Sequence, residues 1–196
     1  MRNPDMAVLF LVTCCTAIPV HAEVHRHHKA HEHGTGHLNV AVDQNTLMID
    51  LSLPAMDVVG FEHPVNNEEE RGQVTHATRL LQDGIQLFAP TPAAKCVLVR
   101  SEVESVLLEN EAHHEHDEKH DDEEHEHDGK HEKEHAHADF DVSHEFNCES
   151  PAQLNALTLS LFEHFPATHR LRVQMITPTN QGGTELTPDK RILNLK

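Results

Sequence analysis

An α+β fold, with a mainly antiparallel sheet and two helices in the order ββα-ββα-ββ, follows from three patterns in the chain. Leu38, Val40 and Val42, then Leu47, Ile49, Leu51 and Leu53, alternate with polar or small residues on either side of Asp43, Gln44 and Asn45. That pattern describes a β-hairpin with one buried face. Val74, Ala77, Leu81, Ile85 and Phe88 recur at helical spacing over residues 68–88. Residues 96–108 are β-rich, and Phe140, Val142, His144, Phe146 and Cys148 share one face of a later strand. These last two runs pair naturally as a second antiparallel hairpin.

The chain has 196 residues and a formal charge of -18, with no Trp and no Tyr. Such acidity repels nucleic acid and anionic membranes and attracts cations. Residues 1–22 carry Arg2, an apolar run over 6–20, and Val20 and Ala22 flanking His21. They read as a secretory signal peptide, too short for a comfortable membrane span. Leu11, Val12, Thr13 and Cys14 also suggest a lipoprotein signal, but Thr13 suits the position before a modified Cys poorly. Residues 23–37 form a His-rich arm in which Gly34 and Gly36 would let His31, His33 and His37 turn inward. A single domain over 38–196 follows.

Pro54 ends the first hairpin, and residues 58–64 (VVGFEHP) deliver Glu62 and His63 side by side on a loop. Glu68, Glu69 and Glu70 suit the start of the first helix, and Pro90 and Pro92 stop it. His76 falls on its solvated face. Pro151 opens the second predicted helix, with Leu154, Leu157, Leu161, Phe162 and Phe165 as its apolar face and Pro166 as its end. His164 and His169 flank that end as exposed bystanders. Leu171, Val173 and Met175 form a strand, residues 180–183 a turn, and Leu186, Ile192, Leu193 and Leu195 a last strand interrupted near Pro188. The repeated strand and helix order suggests an internal duplication.

With residues 1–22 removed, Cys96 and Cys148 remain and read most simply as a disulfide of an exported protein, with thiolate metal ligation as the rival. They bracket the insert, so the bond would tie its base to the folded body.

Residues 113–137 lie at the tip of the second hairpin. Of these twenty-five residues nine are His, eleven Asp or Glu and three Lys. Such a stretch cannot recover its ordering entropy by burial and reads as a disordered, solvated loop. Its neutral imidazoles are ligands for divalent transition metals. His114 and His116, His125 and His127, and His135 and His137 are two apart, as extended backbone requires. His116 and His120, His127 and His131, and His131 and His135 are four apart, as one helical face requires. With His113, they make overlapping, exchangeable sites. Residues 131–135 also match H-E-x-x-H, but no apolar stripe seats that helix under a cleft, so a hydrolase is not the reading.

The segments HEHGTGHLNVAV, VVGFEHP and DFDVSHEFNC, with paired cysteines around a His/Asp-rich insert, resemble the ZrgA family of periplasmic zinc-uptake proteins. The resemblance implies Zn²⁺ as the ligand, a periplasmic location, no catalysis, and delivery to an inner-membrane ABC-type zinc importer. It carries over His31, His33, Glu62, His63 and His144 as matching positions. The chain is expected to act as a monomer without membrane insertion. A metal buffer or detoxification protein for zinc, copper or nickel is the alternative, and induction by metal excess would favour it. A two-lobed substrate-binding protein needs more residues and alternating βα units.

Overall fold

The computed structural model describes residues 32–109 and 138–196. Residues 1–31 and 110–137, with the signal peptide, most of the arm and the His-rich insert, lie outside the described residues. Strands β1 (Thr35–Asp43) and β2 (Thr46–Pro54) form the first hairpin, with Leu38 opposite Leu51 and Val40 opposite Ile49. The chain reverses at Gln44, which has a positive φ of 52°. Strands β4 (Cys96–Glu104) and β5 (Asp139–Cys148) make the second hairpin, and β5 packs against β2. With β7 (Arg170–Ile176) and β8 (Gln181–Leu186) they build a six-stranded sheet in the order β4-β5-β2-β1-β7-β8. Every pairing in it is antiparallel except β1 with β7.

A smaller sheet, β3 (Phe88–Pro90), β6 (Ala156–Leu159) and β9 (Ile192–Asn194), shares its core with the larger one. Phe88, Leu157, Leu159 and Leu193 are buried in one cluster with Leu38, Ile49, Phe140 and Phe146. The helix α2 (Glu68–Gln82) adds Val74, Ala77 and Leu81 to that core. Its start is capped: the Asn67 side chain accepts from Glu70 N at 2.9 Å, and Glu70 Oε2 accepts from Asn66 N at 2.8 Å. Three one-turn helices, α1 (Ala55–Val58), α3 (Gly84–Leu87) and α4 (Val106–Glu109), follow β2, α2 and β4 in turn.

Several expectations change. The first helix ends at Gln82, where Asp83 accepts from Gln86 N to start α3. Residues 151–165 are not a helix: a 3-10 turn at Pro151–Gln153 leads to β6 and then to the one-turn α5 (Leu161–His164). An apolar run this short fits both periods, and hydrogen bonding decides it. The Thr91 hydroxyl accepts from the amides of Asn155 and Ala156 at 3.2 and 3.0 Å and donates to Ala156 O at 3.1 Å, fixing β6 beside β3. Without that helix the two halves are not duplicates. Gly182 and Gly183 lie in β8, and the last predicted strand is divided between β8 and β9.

Cys96 and Cys148 are disulfide-bonded and face each other in the β4–β5 register. The bond closes the end of the hairpin opposite the insert, which leaves from the Glu104–Asp141 end, so it does not tie the insert's base. Its stabilisation comes from the 52-residue separation it closes in the unfolded chain. The double substitution of Cys96 and Cys148 by Ser is expected to lower stability by about 4 kcal/mol in urea denaturation. A loss below about 1 kcal/mol would contradict this entropic account.

Candidate metal centre

Gly34 lies at the crossing of three elements. Its φ of +80° is left-handed and suits only glycine comfortably. Its amide donates to both carboxylate oxygens of Asp57, at 2.9 and 2.8 Å. Its carbonyl accepts from His169 N at 2.8 Å and Arg170 N at 3.0 Å. One residue thereby joins the entry to β1, the one-turn helix α1 and the entry to β7. Asp57 is 6% exposed, and burial pushes its carboxyl pKa up. The Gly34 amide and the imidazoles of His33 and His169 pull it back down, while Glu62 adds to the upward push.

His33, next to that turn, is exposed, and its Nδ1 lies 3.9 Å from Glu62 Oε1. Glu62 is much less exposed, at 18%. The loop that carries Glu62 is seated by Phe61, which is buried and stacks on the His63 ring at 4.9 Å. His63 Nδ1 lies 2.9 Å from Pro64 O and 3.0 Å from Asn66 Nδ2. When Nδ1 donates to Pro64 O, Nε2 carries the lone pair a metal needs, as backbone carbonyls behind the ring arrange for zinc-binding His.

The same end of the sheet holds the roots of the insert. Ala138 O accepts from Ala55 N at 2.8 Å, so the residue following the insert lies against the first residue of α1. β4 leaves the sheet there too, with Glu104 opposite Asp141. His33, Glu62 and His63 therefore share one end of the larger sheet with the two points where the insert joins the described chain.

The other sequence candidates are placed elsewhere. His37 is on β1 and opens onto the uncovered face of the larger sheet, beside a shallow groove of about 430 Å³ with Asp50, Glu102, Glu104 and Asp141. Gly36 does not turn it inward; a Cβ there would meet Leu53 Cδ2 at 2.5 Å, so this glycine serves close packing. His31 and His113, His114, His116, His120, His125, His127, His131, His135 and His137 lie outside the described residues. Among the described residues no three His, Cys, Asp or Glu side chains converge tightly enough to hold a metal as they stand. Asp57 and His169 were not among the sequence candidates. Only the parallel β1–β7 pairing brings His169 to Gly34, and no local pattern announces it.

A family model described as ZrgA family zinc uptake protein matches residues 30–195. The chain belongs to the ZrgA family. The match covers most of the chain and includes every described element of the candidate centre. No curated protein matches it. A zinc-related, transport-type role follows from that membership, with zinc as cargo. Among the described residues of this ZrgA family member no helix is long and apolar enough to cross a membrane.

His144 belongs to the core. It is 1% exposed, and its ring meets Phe88 and Phe146 edge-on at 5.9 and 6.2 Å. A Cβ on Gly84 would lie 2.9 Å from its Nδ1, so that glycine makes room for the ring. Among the described residues neither ring nitrogen has a hydrogen-bond partner of good geometry. Burial lowers its pKa, opposed by the nearby Leu81 backbone and the Asp83 carboxylate. A lowered imidazole pKa means the unfolded chain binds the extra proton more readily. Its contribution to stability is present above about pH 6.5 and is lost as pH falls toward the folded value. His144→Leu should flatten the fall in urea midpoint below pH 6.5. At pH 7.5 it should be neutral or stabilising by about 1 kcal/mol, since an unsatisfied polar ring is replaced. An unchanged pH profile would contradict this role.

Proposed function

We propose that the protein captures Zn²⁺ in the periplasm and passes it to an inner-membrane ABC-type zinc importer. The observation that carries this reading is the gathering of His33, Glu62 and His63 at the sheet end from which the His-rich insert springs. The nine imidazoles of residues 113–137 and those of the arm bind zinc reversibly, and exchangeable sites suit collection. The ordered site on the body holds the ion more tightly for transfer. Its ligands are nitrogen and oxygen donors of the type zinc takes. Export through residues 1–22 supplies the oxidising compartment that the Cys96–Cys148 disulfide suits. The protein acts as a monomer, and its negative charge draws cations to it.

Zinc titration of the chelator-stripped chain 23–196 is expected to give more than one ion per chain. Deleting residues 113–137 should remove the weak sites and leave at least one strong one. Loss of all binding on that deletion would contradict an ordered site. Because imidazole must shed its proton to bind, affinity should fall as pH drops below about 6.5. Binding that stays flat to about pH 5 would contradict histidine ligation.

A further inference from the structure

We propose that His169 is a ligand of the ordered zinc site, joining His33 and Glu62 across Gly34. This rests on the ordered-site reading above and adds a residue that the motifs do not contain. Two observations converge on it. The backbone of His169 is fixed to the turn that carries His33, because its N–H donates to Gly34 O at 2.8 Å. Its ring already lies over that turn: Cδ2 is 3.1 Å from where a Cβ on Gly34 would stand.

The anchoring and the freedom are divided as a site of this kind requires. Thr168, just before His169, is fully buried, and its amide bonds to Phe165 O at 3.0 Å, so the backbone is held. The rings of His33 and His169 are exposed and can rotate without disturbing the core. Glu62, 3.9 Å from His33, supplies an oxygen donor. Asp57 spends both oxygens on the Gly34 amide and keeps the turn in place without being a ligand. These two nitrogens and one oxygen leave the fourth position of a tetrahedral zinc to His63.

The test uses the full chain 23–196, with Zn²⁺ titrated against a chromophoric chelator that competes for the strongest site. His33→Ala and His169→Ala are each compared with His76→Ala, which alters an exposed ring on α2. Both site variants should weaken the strongest site about tenfold or more, and the control should not. The metal-free unfolding temperatures should match that of the parent, because both rings are exposed. Replacing zinc by Co²⁺ gives a second readout: the visible band of the first equivalent should change in His169→Ala. If His33→Ala loses the strong site and His169→Ala keeps it with an unchanged cobalt band, His169 is not a ligand and the ordered site stands. If both variants keep it, the ordered-site reading fails as well.

Discussion

The grip of Asp57 on the amide of Gly34 is the contact on which the chemistry-bearing end of this protein depends. Two carboxylate oxygens close on one N–H, at 2.9 and 2.8 Å, in a place water hardly reaches. A hydrogen bond to a charged group contributes about 1.5–3 kcal/mol, and burial of the carboxylate works against it. The raised pKa of Asp57 shows that desolvation is the larger of the two influences. What the contact secures is position. It fixes a left-handed turn that only glycine makes easily, and from that turn β1, α1 and β7 take their places.

The larger sheet separates stability from chemistry along its strands. At one end, Cys96 and Cys148 lock the open end of the β4–β5 hairpin. At the other end lie His33 and His169 beside the starts of β1 and β7, with Glu62 and His63 on the loop after α1, and the insert departs from there. In between, one face of each central strand is buried and the other is wet. The wet face is acidic around His37, where Asp50, Glu102, Glu104 and Asp141 line a common groove. A cation approaching that face or that end meets a negative field, and the net charge of -18 extends it.

Much of this was legible in the chain because it depends on local periodicity. The alternation of residues 38–53 and 140–148 gave the hairpins and put His144 on the apolar face, where it is found. The spacing from Val74 to Leu81 gave α2. The stretch from Leu154 to Phe165 misled because four or five apolar residues suit a helix and a strand equally, and a distant hydroxyl, Thr91, settles the matter. His169 read as a bystander because its neighbour Gly34 is 135 residues away and joined to it by the one parallel pairing of the sheet. Asp57 offered no signal at all: a single Asp in AMDVV looks like a solvated turn until the fold buries it. The HxHG and GFEHP motifs located His33 and Glu62, and the structure brings those two together.

Belonging to a zinc uptake family makes the ion the cargo, and uptake requires both ready capture and release. Many interchangeable imidazoles favour the first, and a small set of donors on a fixed turn favours retention until transfer. On the proposed function, the first zinc ion bound by the folded body settles at the Gly34 end. Chemical-shift mapping of the ¹⁵N-labelled chain 23–196 lacking residues 113–137, at one equivalent of Zn²⁺, locates that ion. The amides of residues 33–35, 57–63 and 168–170 should move while those around Cys96, Cys148 and His144 stay in place. Shifts centred on His144 or on the groove beside His37, with the Gly34 end unmoved, would contradict it.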